Sequence, residues 1–228
     1  MIKVPATESG IPAIEELTAR GLNINVTLLF SVARYEQVID AYLAGLERRV
    51  AAEQPVDGIS SVASFFVSRV DTKVDAMLPA GSDLRGRVAI ANAHRAYARY
   101  RERFSDERWL VLRDLGARPQ RPLWASIGTK DPAYSDVMYV EELIAPDVVN
   151  TMPEATLRAF ADHGDPTRTL GDESSAAEET LRRAANAGVD LDVVTAELER
   201  EGVRSFCDSY NELLACIEAK VQRTVLAS

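Results

Sequence analysis

Lysine, asparagine, threonine and serine set into apolar, strand-like runs can do carbonyl chemistry, and this sequence holds such a set. Lys3 is flanked by Ile2 and Val4, while Asn25 and Thr27 lie on either side of Val26. Alternation along a strand puts Asn25 and Thr27 on one face. Ser64 and Phe66 share a face in the run 59–67, and Arg69 follows where that run should end. Ser126 comes late in 122–127, after Leu123 and Trp124, and Asn150 and Thr151 come late in 147–152. A buried lysine is desolvated, which disfavours its ammonium form and frees a neutral amine to attack a carbonyl. Amide and hydroxyl neighbours can hold substrate hydroxyls and pass protons. Arg69 could clamp a phosphate through two parallel hydrogen bonds, and Lys130 could add a second positive charge. Plainer readings stand beside these. A lysine near a terminus is usually solvated, Asn25 and Thr27 suit a strand-to-helix turn, and Arg69 has acids nearby in Asp71 and Asp75.

The elements that would position these residues follow from periodicity. Strands are expected at 1–5, 23–30, 59–67, 122–127 and 147–152. Helices are expected at 8–20, where Ile11, Ile14, Leu17 and Thr18 share a face and Gly21 stops the run, and at 32–54, which carries Val38, Ile39, Tyr42, Leu43 and Leu46. Residues 68–80 read as mixed. A long or broken helix is expected over 82–114, its stripe formed by Val88, Ala91, Ala98, Trp109 and Leu112. Further helices are expected at 134–144, at 153–163 opened by Pro153, at 174–187, and at 191–226 with a break near Gly202. Five alternations of strand and helix predict a parallel α/β fold. No GxGxxG or GxxxxGK[ST] follows a strand, so the common nucleotide-binding forms of a doubly wound sheet lose support. In a β/α barrel, inward residues at the C-terminal strand ends would make the site. No repeat or linker divides the chain, and residues 1–228 read as one domain.

Composition narrows the function classes. The 228 residues are 46% apolar and carry a formal charge of −9. A sizeable core is within reach, and the acidic balance argues against a general nucleic-acid binder. A few local cations would still suffice for a phosphorylated small molecule. No apolar run approaches the roughly 18 residues of a membrane span, and the start MIKVPATESG has no signal-peptide pattern. Cys207 and Cys216 have no metal-site spacing and suit free thiols in a reducing cytoplasm. His94 and His163 are isolated, so no metal site is expected.

Six strings carry a resemblance. IKVPAT with GIPAI, NINVTLLFS, SVASFFVSRVD, RPLWASIGTKDP, VVNTMPEATLRAF and VRSFCDSYNELL occur in this order over essentially the whole chain. Together they resemble the transaldolase family. The resemblance implies a (β/α)8 TIM-barrel type fold, here about the last five β/α units. It implies transfer of a dihydroxyacetone unit from sedoheptulose 7-phosphate to glyceraldehyde 3-phosphate through a lysine Schiff base, in the pentose phosphate pathway. Phosphorylated sugars would be the substrates, with no cofactor and no metal, in the cytoplasm. Position by position, Lys3 would form the imine and Thr27 would orient a catalytic water. Asn25 and Ser64 would contact the three-carbon unit, Phe66 would wall the pocket, and Arg69 would bind phosphate. Ser126 and Lys130 are the further phosphate candidates.

The family places about three barrel strands, with an Asp and a Glu for proton transfer, before the lysine strand. Neither acid can be assigned in this sequence. The expectation is therefore an open partial barrel with Lys3 on an edge strand, self-association through exposed barrel edges, and weak or no activity of this chain alone. The alternatives are a small aldolase of the same family and a non-catalytic remnant that binds sugar phosphates.

Overall fold

The computed structural model describes residues 1–167, 170 and 174–226. Five strands form one sheet in sequence order: β1 (Ile2–Pro5), β2 (Ile24–Leu29), β3 (Ser61–Phe66), β4 (Arg121–Ala125) and β5 (Val149–Asn150). Each adjacent pair is parallel. Each return between strands runs through at least one helix, as parallel pairing requires. Among the described residues β1 and β5 have one strand neighbour each. The sheet agrees with the α/β expectation, and it is open at both edges.

The first returns are α1 (Gly10–Ala19) and α2 (Val32–Ala51). Ser31 caps α2 by accepting from the Arg34 amide at 3.1 Å. The third return is longer. Where the sequence reads as mixed, Ser68–Asp75 forms helix α3. The long stretch that follows is two helices, α4 (Val88–Arg103) and α5 (Glu107–Asp114). Asp106 separates them, its carboxylate accepting from the Trp109 amide at 2.8 Å. The buried stripe of α4 holds Val88 and Ala91, but Ala98 faces solvent and Ala96 takes the inward place. After β4 the expected helix over 134–144 shrinks to α6 (Met138–Glu141). α7 (Glu154–His163) and α8 (Ser174–Asn186) follow.

The last helix, α9 (Leu191–Leu226), is unbroken. Gly202 does not interrupt it, because its missing side chain serves packing instead. A Cβ there would lie 2.7 Å from Leu28 Cδ2, so glycine lets α9 rest on the end of β2 without displacing the Leu28 side chain. Salt bridges from Lys73 to Glu197 (2.9 Å) and from Arg34 to Glu199 (3.5 Å) tie the same half of α9 to α3 and α2.

The core lies between the sheet and its helices. Val4, Ile24, Val26, Ala63, Phe65 and Trp124 point into it from the strands. Trp124 is fully buried, donates through Nε1 to the Leu143 carbonyl at 2.9 Å, and meets the Phe65 ring edge-on at 6.3 Å. The opposite face of the sheet carries only a small apolar cluster, Val62, Leu123 and Ala125, with Phe66 and Val149 against it.

Candidate active site

Strand register decides which polar residues can meet. Lys3 pairs with Asn25, and Asn25 with Val62. Alternation then places Lys3, Asn25, Ser64 and Phe66 on the sheet face that points away from the main core. The contacts agree with this. Ser64, only 3% exposed, donates through Oγ to Asn25 Oδ1 at 2.7 Å. The buried serine thus fixes the asparagine amide and leaves its nitrogen free to donate outward.

Thr27 sits where β2 departs from regular form. The register slips between Val26 and Leu29, and Leu28 has φ +56°. A left-handed conformation at a bulky residue is uncommon and persists only where packing enforces it, and here Gly202 of α9 closes on Leu28. The backbone carbonyl of Thr27 accepts from the Ala6 amide at 2.7 Å, holding β1 to β2. Its side-chain oxygen is buried and has no partner among the described residues. Such a hydroxyl carries a desolvation cost that a bound water or ligand oxygen would relieve.

Phe66 is half-buried and packs on Phe30 at 5.2 Å. Arg69, exposed in the first turn of α3, lays its guanidinium 5.2 Å from the centre of the Phe66 ring. The ring holds a cation without neutralising it. Asp71 and Asp75 do not pair with Arg69. Asp71 accepts from the Ala89 amide at 2.7 Å and the Tyr139 hydroxyl at 2.9 Å. Asp75 accepts from the Gly86 amide at 3.0 Å and the Tyr134 hydroxyl at 2.6 Å. Among the described residues Lys3, Arg69 and Lys130 form no ion pair, so three cations remain available to an anionic ligand.

Ser126 ends β4 with φ +53°. Its carbonyl accepts from the Ser68 amide at 2.7 Å, and the two hydroxyls are 3.0 Å apart. Ser126 is thereby anchored to Ser68, the residue that precedes Arg69. Lys130 lies elsewhere. It lines a cavity of about 530 Å³ with Asp71, Thr72, Asp75, Arg85 and Tyr139. The structure therefore sets Lys3 and Asn25 side by side in the first halves of β1 and β2, Thr27 further along β2, Ser64 and Phe66 in the second half of β3, and Arg69 and Ser126 just past the ends of β3 and β4, with Lys130 in a different cavity.

Lys3 itself is exposed, on a strand with a free edge. The plain sequence reading of a solvated lysine describes its setting in this structure.

Two features lie outside the sequence reading. Ser68, 1% exposed, is the partner that positions Ser126. The buried pair Asp71 and Asp75 caps the start of α4 and reaches α6. Burial is the main cause that pushes the Asp71 carboxyl up to about 7, against the hydrogen bonds of Ala89 and Tyr139, which pull it down. Burial and then Asp75 push the Tyr134 hydroxyl up to about 12. The spacing of Asp71 and Asp75, one helical turn apart beside Val70 and Val74, is the signal that could reveal them. Among the described residues no group of three or more His, Cys, Asp or Glu side chains could hold a metal ion, and no helix is long and apolar enough to cross a membrane.

Comparison with known proteins bears on this face. Residues 1–217 match the family described as transaldolase/fructose-6-phosphate aldolase. The chain is 52% identical to the transaldolase of Saccharopolyspora erythraea over 230 residues, covering 98% of this chain and 62% of that protein. It is 50% identical to the transaldolase of Frankia alni, with the same coverage. It is 51% identical to that of Mycolicibacterium smegmatis, covering 97% of this chain and 61% of that protein. The chain thus spans just over three fifths of the length of these curated relatives.

Proposed function

This chain belongs to the transaldolase/fructose-6-phosphate aldolase family, and from that premise we propose that it carries the imine-forming face of a transaldolase. The five parallel strands in sequence order are read as part of a (β/α)8 barrel, in one domain over residues 1–228, with the Lys3 face turned to the barrel interior. The substrates are phosphorylated sugars: a dihydroxyacetone unit passes from sedoheptulose 7-phosphate to glyceraldehyde 3-phosphate. The Lys3 amine adds to the ketone carbonyl and water leaves, giving an imine. Cleavage of the neighbouring carbon–carbon bond releases the aldose, and the electron pair stays on the lysine-bound fragment, which then adds to the acceptor aldehyde. Hydrolysis returns the amine.

Asn25, steadied by Ser64, is placed to bind the hydroxyls of the three-carbon unit. The buried Thr27 hydroxyl is suited to hold the water consumed in hydrolysis. Arg69, carried on the Phe66 ring and free of carboxylate partners, is the phosphate ligand. Ser126 adds to the phosphate site beside it. The observation that carries this reading is the register of Lys3 beside Asn25 with the Asn25–Ser64 hydrogen bond. The exposed thiols of Cys207 and Cys216 suit a cytoplasmic setting.

A second reading follows from the exposure of Lys3. Imine chemistry needs a desolvated amine, and Lys3 stands in water at a free edge. We therefore propose that this chain by itself turns over weakly and binds sugar phosphates better than it processes them. Borohydride reduction in the presence of fructose 6-phosphate, followed by intact mass and peptide mapping, separates the two. An adduct on Lys3 that disappears in Lys3→Met supports the enzyme. A folded protein that gives no adduct but still binds fructose 6-phosphate, measured by calorimetry, supports the binding form. Absence of both adduct and binding sinks both readings.

A further inference from the structure

The buried face of α3 is polar where that of α2 is apolar. α2 buries Val38, Ile39, Leu43 and Leu46, whereas α3 buries Ser68, Asp71 and Asp75 together with Val70 and Val74. A helix this short has little stability of its own, so its contacts decide how it lies. Apolar burial is non-directional, whereas a hydrogen bond fixes distance and angle. The two buried carboxylates repeat one pattern. Asp71 accepts from the Ala89 amide at one oxygen and from the Tyr139 hydroxyl at the other. Asp75 does the same with the Gly86 amide and the Tyr134 hydroxyl. Each acid therefore holds α3 both to the entry of α4 and to the segment that follows β4. That segment is also pinned where it begins, by the bonds between Ser126 and Ser68. Further along it, Asp131 pairs at 3.5 Å with Arg85, which also donates to the Asp75 carbonyl at 3.2 Å. Burying a carboxylate costs more than burying an apolar group of similar size, so packing alone does not account for this pair.

We propose that Asp71 and Asp75, through Tyr139 and Tyr134, are positioning residues for a sugar phosphate: they fix the direction in which α3 presents Arg69 relative to Ser126. The proposal rests on the reading of Arg69 as the phosphate ligand. Arg69 is exposed in the first turn of α3, and the acids lie on the buried side of the same helix, so neither acid touches the ligand. A guanidinium meets a phosphate through two parallel hydrogen bonds, a contact that tolerates little error in angle. Among the described residues no carboxylate aims Arg69, and the Phe66 ring restrains it from one side only. The aim therefore comes from the helix that carries it, and the helix takes its direction from the two acids.

Calorimetric titration of the whole chain with fructose 6-phosphate and, separately, with dihydroxyacetone tests this. Tyr139→Phe removes one hydroxyl and keeps the ring. Affinity for fructose 6-phosphate should fall roughly three- to tenfold, the worth of one net hydrogen bond, while affinity for dihydroxyacetone holds. Tyr134→Phe alters a partly exposed residue and should act in the same sense, so the test survives if Tyr139→Phe does not fold by far-ultraviolet circular dichroism. In an Arg69→Ala background neither change should weaken binding further, because the side chain being aimed is gone. An additive loss in that background overturns the proposal, since the tyrosines would then act elsewhere. Equal weakening of both ligands overturns it too, as the mark of a general structural defect, and so does unaltered affinity for fructose 6-phosphate in both variants. A parent chain that does not bind fructose 6-phosphate, or binds it independently of Arg69, overturns the phosphate reading itself and this proposal with it. That outcome is read before either tyrosine is changed, so the two failures are distinct.

Discussion

The two faces of the sheet divide their work. The helix-covered face presents Val4, Val26, Ala63, Phe65 and Trp124, each buried in one continuous core. The other face presents Lys3, Asn25, Ser64 and Phe66, with a cluster of only three buried apolar residues between the strands. A parallel sheet covered on both sides reads as apolar on both sides. This one reads so on one side only, as the proposed binding role of the other face requires. The difference implies that stability and chemistry are separable here: substitutions on the helix face should unfold the chain, and substitutions on the polar face should leave it folded and change binding.

The largest effect is expected at Trp124. Trp124→Ala removes a fully buried ring, its contact with Phe65 and its hydrogen bond to Leu143. A loss of about 3–5 kcal/mol in urea unfolding is expected, and a loss under 1 kcal/mol would mean that the helix face does not carry the fold. Asp71 comes next. It holds its proton to about pH 7 in the fold, against a usual 3.8. The folded state therefore binds more protons in that window, and the stability owed to this group is full below about pH 4 and lost as pH rises through about 7. Asp71→Asn should flatten that slope, by a few kcal/mol at most across the window. A variant whose stability runs parallel to the parent from pH 4 to 8 would show that Asp71 is ionised throughout.

The strands are legible in the sequence because each is a compact apolar run bounded by a turn or helix start, and their alternation alone places Lys3, Asn25, Ser64 and Phe66 on common faces. What is not legible depends on contacts distant in the chain. Gly202 reads as a helix breaker by propensity, but it is a close-approach residue, because Leu28, far earlier in sequence, occupies the space of its side chain. Asp71 and Asp75 read as partners of the neighbouring Arg69. Backbone amides at Ala89 and Gly86 win them instead, since a buried helix start has unpaired donors to satisfy. Ala98 fits the stripe of one continuous helix, yet the chain turns at Asp106 and the inward face of α4 is set by Ala96 and Tyr100. The slip of β2 at Leu28, next to Thr27, has no local signature at all, because leucine does not favour a positive φ.

The smallest effect on stability and the clearest test of the polar face are expected together at Arg69. The side chain is exposed, forms no ion pair among the described residues, and touches the Phe66 ring from outside. Arg69→Ala should therefore change unfolding free energy by no more than about 0.5–1 kcal/mol. A guanidinium that meets a phosphate through charge-assisted hydrogen bonds contributes more than that to binding, about 1.5–3 kcal/mol. Affinity for fructose 6-phosphate should fall roughly ten- to a hundredfold, while affinity for dihydroxyacetone, which has no phosphate, should hold. Arg69→Lys should restore only part of the loss, since an ammonium cannot repeat the two-pronged contact. If both ligands weaken alike, Arg69 acts through Phe66 on the pocket wall and the phosphate site lies elsewhere. If neither weakens, the two faces differ in composition but not in work, and the separation argued from their burial fails at the residue where it should be easiest to see.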